Sequence, residues 1–474
     1  MKPFFISTSI PYVNARPHLG HAQEFVLADV IARYRRLMGG DVFFLSGTDD
    51  NALKNVQAAE TAGARVTEWV SENAGHFKKL ARALSISNDD FIQTASDPRH
   101  APGAQKLWNA IKKDDIYKKK YKGLYCVGCE EFKTEKDLKN KECEEHPGKK
   151  PEEVEEENYF FKLSAYEKEL KKVIESGVFS VLPESRRNET LRFIEAGLHD
   201  FSISRSQERA KNWGVPVPGD STQIMYVWVD ALSNYINALG YAEDSPRFKK
   251  YWSGETMHVI GKGINRFHTI YWPAMLLSAG LKLPDTVFVH GYITIGGKKM
   301  SKSLGNAIDP MDIAARYGAD ALRYFLIREV PTFEDGDFTE EHFLETYNAN
   351  LANGLGNLTA RIMKLAEDYL SEGTRPESRG FPDEYSKALA GSEIHAASDF
   401  VWSEIQKLDQ KITETQPFKL IKKDVEAGKK LIFELTQELY SIARMLCPFM
   451  PGTSDKIKQA ILDNKKPDVL FPRK

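Results

Sequence analysis

Two histidines, His18 and His21, lie three positions apart near the start of the chain, in the stretch PYVNARPHLGHAQEF with Gly20 between them. Imidazole N–H groups at the first turn of a helix can bind an anion, because the backbone N–H groups and the helix dipole there already favour negative charge. The glycine would let a flat ring or a phosphate approach the backbone closely. The same pattern also fits a simple turn followed by a core helix.

A second segment, GGKKMSKSLGN, begins at Gly296 and carries two ammonium groups, Lys299 and Lys302, with the hydroxyls of Ser301 and Ser303 beside them. Such a loop can close on a polyphosphate and stabilise the charge that develops on it during a reaction. The alternative interpretation is an exposed basic hairpin turn.

Three of the four cysteines crowd into one short stretch, which is not the pattern of a disulfide framework and suits a reducing cytoplasm. Cys126 and Cys129 are separated by two residues, and Cys143 and His146 repeat that spacing. Two such pairs can bind one Zn²⁺ tetrahedrally as a closed, structural site. The fourth cysteine, Cys447, is expected to be a core residue.

The histidine pair lies between two predicted strands. FFISTSIPYV has the apolar and β-branched content of a buried strand, a helical pattern follows from Gly20, and Asp41–Asp50 forms the next strand and turn. This order predicts a parallel sheet with a right-handed crossover, in which ligands bind beyond the carboxyl ends of the strands. The loops that carry His18, His21 and Asp49 are expected at that edge.

Farther along the chain, the stretch from about 114 to 218 is rich in Lys and Glu and is interpreted as an inserted unit. Sheet-like patterns return at Met225–Ile236, Thr256–Ile264 and Thr286–Ile295. The final third consists of long amphipathic segments, which predict an α-helical bundle. The expected fold class is therefore α/β.

The composition is that of a globular protein with several structural units, since 474 residues exceed one ordinary core. The sequence shows no apolar run near the ~20 residues of a membrane span and no signal peptide at its start, so no membrane partner is expected. The net charge of −2 argues against a strongly basic nucleic-acid binder, although local clusters such as KKKYK at 118–122 permit one.

HLGH near the start of the chain and KMSKS in its distal part are together the two signatures of class I aminoacyl-tRNA synthetases. With GLYCVGCEEF, YVWVDALSNY, FHTIYWPAML and YGADALRYFLIREVPTFEDGDFT, the sequence resembles the methionyl-tRNA synthetase family, in its single zinc-knuckle form, over nearly its whole length. The resemblance implies a Rossmann-like parallel-sheet catalytic domain with an inserted zinc-binding domain and a C-terminal α-helical anticodon-binding bundle. The implied divisions are 1–115, catalytic domain, first half; 116–220, inserted connective domain; 221–305, catalytic domain, second half; 306–345, stem-contact linker; and 346–474, anticodon-binding domain.

The implied reaction joins L-methionine to ATP, a substrate that arrives with Mg²⁺, releases pyrophosphate, and transfers methionine to the 3′ end of tRNA(Met), initiator tRNA included. The methionine carboxylate is already ionised at neutral pH, so no general base is required and catalysis consists of positioning and charge stabilisation. This explains why the two motifs are built from His, Lys and Gly.

The resemblance also implies roles for individual residues. The catalytic residues are His18, His21, Lys299 and Lys302. ATP contacts are Asn14, His18, Gly20, His21, His290, Gly291 and Lys302. Methionine contacts are Ile10, Tyr12, Asp49 (which pairs with the substrate ammonium), Trp228, Ala231, Leu232, Tyr235, Ile264, His268 and Trp272. The zinc ligands are Cys126, Cys129, Cys143 and His146, and the anticodon contacts are Asn357, Arg361 and Phe418. Without the resemblance, Trp228 and Trp272 would be interpreted as core residues.

The sequence departs from the family pattern at three places. The loop GTDDNA has Asp50, Asn51 and Ala52 where the family commonly has an acidic residue, His and Gly; Gly263 replaces a usual Asp; and Phe418 replaces a usual Trp. These departures leave Asp49 in place.

Three alternatives remain. A non-catalytic tRNA-binding relative conflicts with the intact His18, His21, Lys299 and Lys302. A synthetase for Ile, Val or Leu needs a large editing domain, because one methylene discriminates by only ~1–3 kcal/mol, and the insert leaves little room for one. A zinc-ribbon nucleic-acid binder would explain one short segment alone. Since no further domain follows the bundle, we expect a monomer. The cysteine pattern predicts that it acts in the cytoplasm.

Overall fold

The computed structural model describes residues 2–126, 131–133, 138–139, 141–143, 150–299, 308–373 and 380–474. The chain forms two compact units, each built from separate stretches of sequence. The first unit comprises Met1–Pro17, Gly40–Lys79 and Asn88–His290; the second comprises His18–Gly39, Leu80–Ser87 and Gly291–Lys474.

The strands of the described residues are β1 Phe4–Thr8, β2 Val42–Thr48, β3 Asp90–Gln93, β4 Ile116–Cys126, β5 Glu131–Lys133, β6 Leu138–Lys139, β7 Glu142–Cys143, β8 Glu152–Phe161, β9 Ser180–Leu182, β10 Phe201–Ser202, β11 Ser204–Ser206, β12 Pro216–Val217, β13 Asp220–Met225, β14 Glu255–Gly261, β15 Thr286–His290, β16 Ile293–Ile295, β17 Lys298–Lys299 and β18 Gly336–Asp337.

The α-helices of the described residues are α1 Leu19–Leu37, α2 Leu53–Thr61, α3 Val66–Ala83, α4 His100–Ala110, α5 Glu167–Glu175, α6 Glu184–Glu195, α7 Val227–Asn237, α8 Pro246–Trp252, α9 Trp272–Ser278, α10 Pro310–Tyr317, α11 Ala319–Tyr324, α12 Glu340–Thr346, α13 Asn357–Tyr369, α14 Asp383–Ala390, α15 Ile394–Thr415, α16 Pro417–Lys423, α17 Val425–Leu446 and α18 Pro451–Leu462. Three segments are π-helical: Phe267–Tyr271, Phe325–Glu329 and Tyr347–Gly356.

The first unit is organised around a parallel sheet with the strand order β3-β2-β1-β14-β15-β9. Every residue of β1 and of β2 is buried, as expected for strands of a parallel sheet that is covered on both faces. The chain between β1 and β2 contains helix α1. The predicted parallel strand–helix–strand arrangement is therefore confirmed, and the fold is α/β with a Rossmann-like sheet.

One predicted strand is wrong. The sequence pattern of Met225–Ile236 suggested a sheet. In the structure, strand β13 ends at Met225 and helix α7 begins at Val227. Ten of the eleven residues of α7 are buried, so the helix has no solvent face to produce a period of 3.6. A short segment that is apolar on all sides cannot be assigned to helix or strand from periodicity alone.

The region between β4 and β13 forms antiparallel sheets, with the order β10-β8-β4-β5 in one and β11-β13-β12 in the other. The basic run at 118–122 lies in β4, opposite the acidic residues of β8, and Lys122 Nζ is 2.8 Å from Glu153 Oε1. Lys120 and Lys122 lie opposite Glu157 and Glu155, and Lys118 forms an ion pair with Asp220 of β13 at 2.7 Å, so carboxylates balance at least these three lysines. Strand β9, from the same stretch of sequence, pairs with β15 at the edge of the parallel sheet.

The second unit is mainly helical, which confirms the helical C-terminal region. A buried ion pair joins Asp29 of α1 to Arg323 of α11, at 2.7 Å. Burial alone would raise the pKa of Asp29, but Arg323 and Arg33 outweigh it and lower that pKa. Arg323 also donates hydrogen bonds to the carbonyls of Pro448 and Phe449, at 2.8 and 2.7 Å. This fully paired charge fixes α1, and with it the histidines at its start.

Along the described stretches of chain, every helix is too short or too polar to span a lipid bilayer.

Candidate active site

The two histidines of the second unit form the N-terminal cap of α1. The ring of His18 accepts a hydrogen bond at Nδ1 from the backbone N–H of Gly20, and His21 Nδ1 accepts one from the backbone N–H of His18, both at 3.1 Å. The rings stack with their centroids 3.9 Å apart. Because each Nδ1 is an acceptor, each ring carries its proton on Nε2 and can donate to an anion from there.

Gly20 has a specific role in this cap. A Cβ atom at this position would lie 3.0 Å from Cε1 of His18, so the flat ring that approaches the glycine is the imidazole of His18 itself. The approach of a substrate ring or phosphate to Gly20 stays a prediction from the sequence. Asn14, another predicted ATP contact, is exposed and lies in the first unit.

The start of the basic segment is a hairpin of β16 and β17, with Thr294 opposite Lys299. Gly296 and Gly297 form its turn with φ of 58° and 71°, values that favour glycine. The carboxylate of Asp337 accepts hydrogen bonds from Gly297 N–H at 3.0 Å and from Thr294 Oγ1 at 2.7 Å, and so holds the turn. The hairpin interpretation is thus confirmed up to Lys299, whereas Lys302, Ser301 and Ser303 lie outside the described residues.

His290 ends strand β15, and Gly291 follows it in the second unit. The N–H of Gly291 donates to the carbonyl of Thr332 at 3.0 Å. A Cβ atom on Gly291 would lie 2.0 Å from the carbonyl oxygen of Glu334. Only glycine fits at this position, since the neighbouring backbone occupies the space of any side chain.

Most of the predicted methionine-binding residues come together in the first unit. Helix α7 carries Trp228 and Tyr235, and the π-helical segment carries His268. The ring of Trp228 lies 6.3 Å from that of Tyr12 and 6.4 Å from that of His268, and it stacks on Phe267 at 3.7 Å. The half-buried members of the set are Ile10, Tyr12, Trp228 and Ile264, and the buried members are Asp49, Ala231, Leu232, Tyr235, His268 and Trp272.

A short chain of hydrogen bonds fixes the polar atoms of this aromatic cluster. His268 Nδ1 donates to the carbonyl of Ile264 at 3.0 Å, so its Nε2 accepts the hydroxyl proton of Tyr235 at 2.7 Å. Both polar side chains are thereby fixed in orientation. Apart from the indole N–H groups of Trp228 and Trp272, the other walls are aromatic and aliphatic, which suits an unbranched apolar side chain.

Asp49 lies directly after β2, at the carboxyl end of that strand as predicted. Its N–H donates to the carbonyl of Pro11 at 2.9 Å, and Asp49 forms a parallel bridge with Tyr12. Its Oδ1 accepts a hydrogen bond from the N–H of Asn51 at 3.1 Å, and its carbonyl accepts one from Asn55 Nδ2 at 2.9 Å. A buried carboxylate is thus fixed beside an aromatic pocket, where it can pair with an ammonium group.

The neighbouring carboxylate, Asp50, is fully buried. Burial raises its pKa from the usual 3.8 to about 6, although a hydrogen bond from Thr48 Oγ1 at 2.8 Å acts in the opposite direction. The folded state therefore holds this proton more tightly than the unfolded state does. The stability that the proton contributes is fully present below about pH 4 and is lost as the pH rises through about 6.

We expect the melting temperature of the unmodified protein to fall, relative to that of Asp50→Asn, between about pH 4 and about pH 7. The change in pKa from 3.8 to about 6 corresponds to about 3 kcal/mol of folding free energy. Thermal unfolding of both proteins across this range measures the difference, and any constant cost of the amide cancels. Two parallel profiles would contradict the raised pKa.

Two of the four predicted zinc ligands, Cys126 and Cys143, are described and buried, at the end of β4 and in β7. Cys129 and His146 lie outside the described residues. Cysteine thiolates are ligands that zinc prefers, so these two buried residues are chemically suited to it. Among the described side chains alone, no group of three potential ligands surrounds a common point.

In the second unit, Asn357 begins α13 and Arg361 follows one turn later, which confirms their predicted i, i+4 spacing on one helix. Arg361 Nη1 forms an ion pair with Asp409 Oδ1 of α15 at 2.6 Å. The ring of Phe418 on α16 is 46% exposed, an unusual degree for an aromatic side chain.

Two further buried residues, His100 and Asp230, connect to Asp49 through Asn51, and the sequence motifs assigned neither of them a role. His100 begins α4, and its Nε2 is hydrogen bonded to Asp230 Oδ1 on α7. The second oxygen of Asp230 accepts a hydrogen bond from Asn51 Nδ2 at 2.7 Å. A single acidic residue within the apolar run YVWVDAL was the available signal, because a carboxylate in such a run must find a buried partner.

The chain matches the family model described as "tRNA synthetases class I (M)" over residues 4–146 and 133–363. The chain is therefore a class I synthetase, which agrees with its parallel sheet and with the HLGH and KMSKS motifs of its sequence.

Two curated relatives and one solved structure narrow the class. The methionine–tRNA ligase of Thermotoga maritima is 42% identical, over 98% of this chain and 76% of its own, and that of Brucella suis is 39% identical, over 96% and 90%. The structure of Mycobacterium tuberculosis methionyl-tRNA synthetase in complex with methionyl-adenylate matches with a TM-score of 0.89 and 37% identity, covering 96% of this chain and 93% of that one. The chain belongs to the methionyl-tRNA synthetase family.

Proposed function

We propose that this protein is a methionine–tRNA ligase that converts L-methionine and ATP into methionyl-adenylate and pyrophosphate, and then transfers methionine to the 3′ end of tRNA(Met). The observation that carries the proposal is the aromatic pocket around Trp228 and Tyr235, with the buried carboxylate of Asp49 beside it. This combination fits an amino acid with a positive ammonium and an apolar, polarizable side chain.

The thioether suits this pocket for a physical reason. Sulfur–aromatic contacts contribute roughly 0.3–1.5 kcal/mol each, and Tyr12, Trp228 and Tyr235 supply aromatic walls. Asp49 supplies the charge that orients the substrate ammonium. The remaining members of the pocket give it shape: Ile10, Ala231, Leu232, Ile264, His268 and Trp272.

The activation step needs stabilisation of negative charge on the phosphates of ATP. His18 and His21 supply two imidazole N–H donors at the start of α1, where the helix dipole adds its own positive end. Lys299 and Lys302 would stabilise the departing pyrophosphate. Asn14, Gly20, His290 and Gly291 are the further proposed ATP contacts, and Mg²⁺ accompanies ATP as part of the substrate.

Methionine-dependent ATP–pyrophosphate exchange by the purified protein tests the proposal, with Ile, Val, Leu and Cys assayed in parallel. Exchange with methionine alone, followed by charging of tRNA(Met), would support it. If the folded protein exchanges with no amino acid, the alternative of a non-catalytic tRNA-binding relative replaces it.

We further propose one structural Zn²⁺ held by Cys126, Cys129, Cys143 and His146. Metal analysis of the purified protein is expected to give one zinc per chain. Cys143→Ser should lose that zinc, because removing one thiolate breaks the closed tetrahedral set. Cys447→Ser, outside the cluster, should retain it. Full zinc occupancy in the Cys143 variant would contradict this ligand set.

Recognition of the anticodon is proposed for Asn357, Arg361 and Phe418. The exposed ring of Phe418 supports the proposal, because a base can stack on it for roughly 1–3 kcal/mol. The monomeric state, the cytoplasmic location and the domain limits stay predictions from the sequence.

A further inference from the structure

The loop that carries Asp49 is tied to helix α7 through a continuous set of buried polar contacts. Asn51 connects the two sides: its backbone N–H donates to Asp49 Oδ1, and its side-chain Nδ2 donates to Asp230 Oδ2. Asp230 lies on α7, two residues from Trp228 and one from Ala231. The proposed ammonium-binding carboxylate and the proposed thioether-binding helix are therefore joined by one side chain.

Asp230 is a carboxylate with only 1% of its surface exposed, so it needs donors on both oxygens. His100 Nε2 supplies the donor to Oδ1, and Asn51 supplies the donor to Oδ2. If Asn51 loses its amide, one buried oxygen loses its partner, and the loop loses its attachment to α7.

Helices α4 and α7 approach closely enough for this contact because of Gly103. A Cβ at Gly103 would lie 2.0 Å from Asn237 Oδ1 on α7, so any larger residue would displace the side chain of Asn237. His100 lies one turn earlier on the same face of α4. Asn237 Nδ2 in turn donates to the carbonyl of His100 at 3.1 Å and to Ser233 Oγ at 2.7 Å, which fixes the start of α4 against α7.

We propose that Asn51, Asp230 and His100 form a positioning network that sets the orientation of the Asp49 carboxylate relative to the aromatic pocket, and thereby the affinity for the ammonium of methionine. This inference rests on the proposed function. Asn51, Asp230 and His100 are positioning residues, because they act on the substrate through Asp49 and α7.

The proposal explains a departure noted in the sequence. Asn51 stands where the family commonly has histidine, and both side chains carry an N–H that can donate to Asp230. The substitution therefore keeps the donor, whereas an aliphatic side chain would remove it.

The test compares Asn51→Ala with Asn51→His in methionine-dependent ATP–pyrophosphate exchange. Asn51→Ala keeps the backbone N–H to Asp49 but removes the donor to Asp230. We expect its KM for methionine to rise about 10-fold or more, because the loop that carries Asp49 loses a buried hydrogen bond to a charged group, with the KM for ATP unchanged. Asn51→His should recover most of the lost affinity.

The matched control is Asn234→Ala, which removes another buried amide of α7, one whose hydrogen bond among the described residues goes to the carbonyl of Ala231 within the helix. Its KM for methionine should stay unchanged even if its melting temperature falls. An unchanged KM for methionine in Asn51→Ala, or equal rises in the KM for methionine and for ATP, would overturn the network. Absence of exchange by the unmodified protein would instead overturn the proposed function.

Discussion

Replacing Lys302 by alanine is expected to lower kcat for methionine-dependent ATP–pyrophosphate exchange by about 10²–10³-fold. The reaction places additional negative charge on pyrophosphate as the bond to the α-phosphate breaks, and an ammonium group there stabilises the transition state more than the ground state. The KM for methionine should change little, because Lys302 is proposed to contact phosphate alone. Steady-state exchange kinetics separate the two parameters.

The control for this variant is Lys298→Ala, which removes an exposed ammonium group of strand β17, four positions before Lys302 in the sequence. Exchange by Lys298→Ala should remain near that of the unmodified protein. If both variants lose activity equally, a general effect of positive charge on the hairpin replaces the specific role of Lys302.

Asp49→Asn is expected to raise the KM for methionine by about 100-fold or more. The asparagine keeps the shape of the side chain and an oxygen to accept the N–H of Asn51, but it removes the charge that pairs with the substrate ammonium. Breaking one partner of a buried charge pair costs about 2–5 kcal/mol, so the effect should exceed that of losing a neutral contact. Exchange assays over a wide range of methionine concentration measure it.

Two controls make the Asp49 result specific. Asp41→Asn neutralises an exposed carboxylate of the first unit, which pairs with Lys250, and should leave the KM for methionine unchanged. Inhibition by 4-(methylthio)butanoate, which lacks the amino group, should be equally strong with the unmodified protein and with Asp49→Asn. A parallel loss of affinity for this analogue would show that the variant damages the pocket itself.

The parallel sheet could be predicted because its signals are local. The apolar first strand, the helical pattern after Gly20 and the next strand at Asp41–Asp50 follow one another directly, and the structure has them as β1, α1 and β2. Helix α7 was missed because burial on nearly every side removes the amphipathic pattern that marks a helix. The local sequence pattern therefore predicted an element correctly where that element had one polar and one apolar face, or clear turn residues on both sides.

The site was predictable in its types of residue but not in its connections. The position of Asp49 after a strand followed from the sheet, whereas its link to Asp230 joins residues about 180 positions apart through Asn51. Such contacts depend on how α4 and α7 pack, and no local spacing encodes that. The same holds for Tyr235 and His268, whose hydrogen bond connects a helix to a π-helical segment 33 residues later.

The hydrogen bonds that join Tyr235, His268 and the carbonyl of Ile264 affect how well the proposed pocket would accept oxidised methionine. Since these groups satisfy one another, a sulfoxide oxygen placed against them would be buried at the expense of its water contacts, at about 1–3 kcal/mol. Oxidised methionine is such a molecule, a polar and chiral product of a common oxidative lesion. A sulfoxide oxygen that reaches Trp228 or Trp272 would instead meet a buried indole N–H group that has no hydrogen-bond partner among the described residues, so we expect discrimination against damaged methionine to depend on which wall of the proposed pocket the oxygen contacts.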